Sequence, residues 1–127
     1  MIFMYYIVYI ILVKGCRMMT VAELKERLVL RSAYQGMNLS KNINGCYIGD
    51  YLSVVMKNAK ANNIWITVVN NQNTVGVAML KGLSCIIMCE NIKPTAEALK
   101  EAMEKNIPIL LSEKTAYQLA TEISKVI

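Results

Sequence analysis

The sequence predicts an α/β fold, a three-layer sandwich in which helices cover both faces of a mostly parallel sheet. Segments with strand and helix patterns alternate from residue 20 to the end of the chain, and short polar connections join them. Residues 64–69 and 84–89 are apolar at nearly every position, which is typical of strands buried on both faces. The chain has 127 residues and is 55% apolar. Residues 19–127 are therefore expected to form one domain around a sizeable core.

The first half of the domain is predicted to contain two strands and two helices. Thr20 and Glu23 have the spacing of a capping box at the start of a helix over residues 21–28. Branched and small residues then predict a short strand over 29–32, and a polar loop follows over 34–42. Residues 44–48 form the second predicted strand. The helix after it, which begins near Asp50, is expected to bury one face. That face consists of Leu52, Val55, Met56 and Ala59.

The second half continues the alternation of strands and helices. The strand over 64–69 leads through a polar loop to a helix over 74–83, which has few charges and is expected to be buried on more than one side. After the strand over 84–89, Pro94 and Thr95 open a helix that ends at Asn106. Its inward residues are expected to be Leu99, Ala102 and Met103. A short strand over 109–111 and a terminal helix complete the domain, and Thr115 and Gln118 form the capping box of that helix.

The amino-terminal residues 1–18 differ in composition from the rest. Residues 1–13 are all apolar or tyrosine, and a helix of that length reaches only about 20 Å, which is too short to cross a bilayer. One interpretation is a gene start placed too far upstream, with Met18 or Met19 as the true first residue. A short membrane-associating segment and an added β-strand are the alternatives.

Composition excludes several classes of function. The chain has no histidine, which removes Ser-His-Asp and Cys-His relays and most zinc sites. None of the six glycines begins a P-loop, so kinase activity is not expected. Residues 19–127 hold twelve basic and nine acidic side chains, a net charge of +3, without a basic cluster suited to nucleic acid. Cys46, Cys85 and Cys89 are interpreted as packing residues, so neither a catalytic residue nor a metal site is predicted.

Two loops carry the candidate site. Residues 48–50 and 69–73 each follow a predicted strand and precede a helix, so parallel strands would bring both loops to the same edge of the sheet. The amide groups of Asn70, Asn71 and Asn73 can donate and accept hydrogen bonds, which suits a base, a sugar or a phosphate. The alternative is that Asp50 and Asn73 only cap helices.

Residues 39–53, LSKNINGCYIGDYLS, resemble the DRTGG domain, and they look most like the small stand-alone members found in anaerobic bacteria. The resemblance continues through residues 65–67 to the terminal helix. Four residues of the family pattern are kept here, namely Gly45, Tyr47, Gly49 and Asp50. The Asp-Arg pair of the family falls on Ser40 and Lys41, and its second glycine falls on Cys46. The loop after Thr67, which often carries a histidine in similar proteins, has asparagine instead.

The resemblance implies a domain similar to the N-terminal domain of HPr kinase/phosphorylase, which is a regulatory or assembly module. Together with the loop positions, it predicts a non-catalytic, cytoplasmic regulatory domain that forms a homodimer or another homo-oligomer. No cofactor is expected, but a small anionic ligand such as an adenine nucleotide is expected at the strand-to-helix loops. The predicted ligand-binding residues are Gly45, Tyr47, Gly49, Asp50, Thr67, Asn70, Asn71 and Asn73. The alternative is a protein-interaction subunit of a redox system, associated with hydrogenase, or of a signalling system.

Overall fold

The computed structural model describes residues 18–127 together with Met4. The three interpretations of the amino-terminal segment therefore lie outside the described residues, apart from Met18. In the described part of the chain, no helix has the length and apolar character needed to cross a membrane.

Residues 18–127 contain seven strands and five helices. The strands are β1 (Met19–Thr20), β2 (Arg31–Ser32), β3 (Asn42–Ile43), β4 (Gly45–Ile48), β5 (Asn63–Thr67), β6 (Cys85–Met88) and β7 (Ile109–Leu111). The helices are α1 (Val21–Arg27), α2 (Leu52–Asn58), α3 (Gln72–Lys81), α4 (Ala96–Lys105) and α5 (Ala116–Ser124).

The main sheet has five strands in the order β2-β7-β6-β5-β4. The four strands β4 to β7 run parallel, whereas β2 pairs antiparallel with β7 and places Arg31 opposite Leu111. A second small sheet pairs β1 with β3. The sequence did not predict this small sheet, because strands of two residues have no hydrophobic period to reveal them.

Helices cover both faces of the main sheet, which confirms the three-layer prediction. Side chains alternate along each strand, so β5 sends Ile64 and Ile66 to one face and Trp65 to the other. The Ile64 face packs against residues of α1 and α5, and the Trp65 face packs against residues of α2, α3 and α4. Both faces of the central strands are therefore buried, as their continuous apolar sequence predicted.

The predicted helix signals are largely confirmed. The Thr20 hydroxyl accepts a hydrogen bond from the backbone N–H of Glu23, and Thr95 caps α4 in the same way. Thr115 and Gln118 form a complete capping box at the start of α5. Asn106 ends α4 in the left-handed conformation. These signals were readable because each depends on residues within one turn of the other.

The predicted strand over residues 29–32 is wrong in its first half. Val29 has φ of +53°, its N–H donates to the Glu26 carbonyl, and the Leu30 N–H donates to the Lys25 carbonyl. These two bonds form a Schellman motif that ends α1, with valine where glycine is usual. The strand begins only at Arg31, because Val29 completes the helix end instead of pairing in the sheet.

Several other predicted boundaries and faces need correction. Strand β5 ends at Thr67, and α3 begins at Gln72 instead of residue 74. Met56 and Met103, expected to face inward, are 37% and 56% exposed. In each helix, other apolar side chains make the contacts with the sheet. The two methionines lie at the outer edge of the apolar stripe and therefore face solvent.

Candidate functional site

Four loops meet at the carboxyl edge of the main sheet. They follow β4, β5, β6 and β7, and because these strands are parallel the loops lie along one side of the molecule. We call this set the loop rim. Its residues are 49–51, 68–71, 89–95 and 112–115.

Asp50 joins the first two loops of the rim. Its Oδ1 accepts hydrogen bonds from Thr67 Oγ1 at 2.8 Å and from the backbone N–H of Val68 at 3.0 Å. Thr67 Oγ1 in turn accepts from the N–H of Val69 at 3.1 Å. The interpretation of Asp50 as a helix cap is wrong, because Tyr51 occupies the N-cap position of α2 and Asp50 points across to β5 instead.

The asparagines after β5 have distinct positions. Asn71 caps α3, since its Oδ1 accepts from the N–H of Asn73 at 2.9 Å. Asn73 lies in the first turn of α3 with an exposed side chain, so the interpretation of Asn73 as the cap is wrong. Asn70 is bonded to the next loop twice. Its side-chain Nδ2 donates to the Lys93 carbonyl at 2.7 Å, and its backbone carbonyl accepts from the N–H of Thr95 at 3.0 Å.

Gly45 and Gly49 lie where neighbouring side chains come close to the backbone. A Cβ at Gly49 would lie 3.1 Å from Cε1 of Tyr47, and a Cβ at Gly45 would lie 3.1 Å from Nδ2 of Asn63. The Gly49 carbonyl also accepts a hydrogen bond from Trp65 Nε1 at 2.8 Å. Tyr47 is half-buried against the core beneath α2. Close packing therefore accounts for both glycines and for Tyr47 without a ligand.

The last two loops of the rim are also bonded to each other. The chain leaves β6 toward α4 on one face and leaves β7 toward α5 on the other, an arrangement that opens a ligand crevice in many α/β sheets. Here the N–H of Glu90 donates to the Lys114 carbonyl at 2.8 Å, and the N–H of Asn91 donates to the Ser112 carbonyl at 2.9 Å. Glu90 and Asn91 both have positive φ, and this turn has no glycine that would have revealed it in the sequence.

The three described cysteines are kept in the protonated form. Burial raises the pKa of the Cys46 thiol to about 11 and also raises the pKa values of Cys85 and Cys89. Thiolates are the nucleophilic and metal-binding form of cysteine, so these thiols are poor ligands at neutral pH. Within residues 18–127, no three His, Cys, Asp or Glu side chains are grouped to hold a metal ion.

Comparison with known proteins identifies the family of the chain and a solved structure of similar fold. The DRTGG domain family matches residues 23–126. No curated protein matches the chain. A crystal structure of the CBS and DRTGG domains of the regulatory region of Clostridium perfringens pyrophosphatase, complexed with its activator diadenosine tetraphosphate, superposes with a TM-score of 0.68. The match covers 85% of this chain and 47% of the other, at 10% sequence identity, and so establishes likeness of fold.

Proposed function

The chain belongs to the DRTGG domain family, and on that premise we propose that it is a non-catalytic regulatory domain that binds an adenine nucleotide at the loop rim. The regulatory assignment is supported by the structural neighbour, which is the regulatory region of an enzyme. The proposal extends to the likeness with the N-terminal domain of HPr kinase/phosphorylase that the motif around Gly49 implies.

The choice of ligand is supported by the activator bound to that neighbour, diadenosine tetraphosphate, which contains two adenosines and a chain of phosphates. The chain spans slightly less than half the length of the neighbour, so the activator belongs to a larger assembly of domains. Transfer of the ligand class to this chain is therefore part of the proposal, and a direct binding measurement has to test it.

The observation that carries the proposal is the bonding between successive loops of the rim. Asp50 fixes the first loop to the second, and Asn70 fixes the second to the third. Side chains that are already held in place lose little freedom when a ligand binds, which favours affinity. Asn71 of this rim and Asn73, in the first turn of α3 next to it, are exposed. Asn73 Nδ2 and Oδ1 offer a donor and an acceptor that suit an adenine edge or a ribose hydroxyl.

Absence of catalysis is supported by the inventory of side chains. The chain has no histidine and no P-loop. The thiols of the described residues are protonated at neutral pH, since burial raises their pKa values. A binding domain needs none of these groups, because recognition requires only placed donors, acceptors and charges.

Thermal unfolding of the full chain in the presence of ATP, AMP and diadenosine tetraphosphate tests the proposal. A ligand at 100 times its Kd adds about 2.7 kcal/mol, which raises the midpoint by several degrees. We expect Asn73→Ala to remove the increase given by AMP, which carries no polyphosphate, without lowering the midpoint of the free protein. Asn58→Ala, the same substitution at the far end of α2, is the control and should keep it. No increase with any of the three nucleotides would contradict the proposal.

A further inference from the structure

A cavity lies at the edge of the sheet where β2 pairs with β7, and residues 112–114 of the loop rim form part of its wall. Its volume is about 650 Å³, within the range of roughly 300–1,000 Å³ typical of small-molecule sites. Four segments form its wall: the end of α1 with the turn after it, the start of β2, the loop from β7 to α5, and the end of α5. We call this cavity the basic pocket.

The charges around the basic pocket are mostly positive. Four cationic and two acidic side chains line it, a net charge of +2, whereas residues 19–127 together carry only +3. The cationic side chains are Arg27, Arg31, Lys114 and Lys125, and the acidic ones are Glu113 and Glu122. Most of the surplus positive charge of the domain is therefore gathered at one cavity.

Two of these cations are committed to partners and two are not. Lys114 forms an ion pair with Glu122, and Arg31 Nη2 lies 4.0 Å from Glu113 Oε1 with both side chains mostly exposed. Among the described residues, neither Arg27 nor Lys125 has a carboxylate within ion-pair distance. Two exposed positive charges at the mouth of the cavity thus remain available to an anion.

The helix dipoles of α1 and α5 account for only two of the four cations around the basic pocket. Basic residues at the C-terminal end of a helix offset the negative end of the helix dipole, which accounts for Arg27 in the last turn of α1 and for Lys125 at the C-cap of α5. Arg31 lies on a strand and Lys114 lies in a loop, so the dipole does not account for them. What the four share is the cavity that they line.

Apolar side chains form the rest of the wall. Leu28 is buried, while Leu111 and Val126 are half-buried beneath the charged groups. Val29 stands at the mouth, 85% exposed, and keeps the left-handed backbone that the turn after α1 requires. A cavity with apolar walls and cations at its mouth suits a ligand that carries a multiply charged anionic group.

We propose that the basic pocket is a binding site for a polyphosphate group, carried by a nucleotide or present as a free anion. Arg27 and Lys125 contact the phosphate oxygens, while Arg31 and Lys114 stay paired with Glu113 and Glu122. Arginine suits phosphate because its planar group can donate two parallel hydrogen bonds. This site is separate from the loop rim contacts of Asn73, and it stands whether or not the rim binds a base.

Isothermal titration calorimetry of the full chain with sodium tripolyphosphate and with ATP tests the proposal. The pocket variant is Arg27→Gln with Lys125→Gln. The control variant, Lys57→Gln with Lys60→Gln, removes the same charge from exposed positions at the end of α2 and just after it. We expect the pocket variant to bind tripolyphosphate about tenfold more weakly or worse, and the control variant to bind within about twofold of the wild type.

The affinities of the wild type and of the two charge variants for the two probes decide the proposal. A wild type that binds neither probe, or an equal loss of affinity in both charge variants, overturns the proposal, because the second result would reflect overall charge alone. Tighter binding of ATP than of tripolyphosphate, lost in the pocket variant, identifies a nucleotide as the source of the group. Equal binding of both identifies the free anion. Asn73→Ala should leave tripolyphosphate binding unchanged, which distinguishes this site from the loop rim.

Discussion

The hydroxyl of Thr67 and the carboxylate of Asp50 form a 2.8 Å hydrogen bond between the loop after β4 and the end of β5. Thr67 is 1% exposed, whereas Asp50 is exposed, so the bond links the core to the surface of the loop rim. The same carboxylate oxygen accepts the backbone N–H of Val68. One side chain therefore sets the relative position of two loops.

Asp50→Ala should destabilise the domain by about 1–3 kcal/mol, because it leaves the Thr67 hydroxyl and the Val68 N–H without their acceptor. Asp50→Asn keeps an oxygen in that place and should cost less. Urea unfolding followed by the fluorescence of Trp65, the single and fully buried tryptophan, measures both. An effect of Asp50→Ala within about 0.5 kcal/mol of zero, as at an ordinary surface site, would argue against this role.

Val29→Gly should stabilise the protein by roughly 1 kcal/mol. Valine at φ of +53° is strained by its Cβ, and glycine is free of that strain at the end of a helix. The side chain is 85% exposed, so little packing is lost. Val29→Ala is the matched control, which keeps a Cβ and should give a smaller gain. A lower urea midpoint for Val29→Gly would show that the turn is not held in this conformation.

Tyr34→Phe should cost about 1 kcal/mol. The Tyr34 hydroxyl donates to the Ile107 carbonyl at 2.7 Å and lies 3.1 Å from the Ala102 carbonyl, which ties the loop after β2 to the end of α4. Tyr117 is 81% exposed, and Tyr117→Phe should leave the free energy of unfolding unchanged. Equal effects of the two substitutions in urea unfolding would refute the role given to Tyr34.

The thiol of Cys46 should react slowly with iodoacetamide at pH 8, because burial raises its pKa to about 11. Peptide mass mapping after timed alkylation measures the rate, and full denaturation in urea provides the reference. Because the folded protein favours the protonated thiol, the contribution of Cys46 to stability is fully present at pH values below the ordinary thiol pKa. That contribution is lost as the pH rises through the window from about 9 to about 11. A urea midpoint that rises across this window would contradict the assignment.

Features that depend on neighbouring residues were predictable from the sequence. The caps at Thr20, Thr95 and Thr115 each involve residues within one helical turn. The doubly buried strands were visible as apolar runs, and their alternation with helices was enough to predict a parallel sheet. The carboxyl edge followed from that topology, since parallel strands must end on the same side.

Features that depend on distant residues were not predictable. The partner of Asp50 is 17 positions along the chain on another strand, so its sequence context resembled that of a helix cap. Arg27 and Lys125 come from opposite ends of the domain and meet only because α1 and α5 pack on the same face of the sheet. One local feature was not predictable either, because Val29 takes the left-handed position at the end of α1 where glycine is usual, and the core residue Leu30 after it completes the motif.

Two-dimensional ¹H–¹⁵N NMR of the full chain during an ATP titration shows whether the carboxyl edge of the sheet binds an adenine nucleotide, as we propose. We expect saturable shifts of the backbone amides of Val68, Asn71 and Asn73, with the outer surface of α2 unaffected. Shifts at Arg27 and Lys125, which lie outside the loop rim, would report on the basic pocket separately. Spectra without saturable change at Val68, Asn71 and Asn73 up to millimolar ATP would contradict the claim.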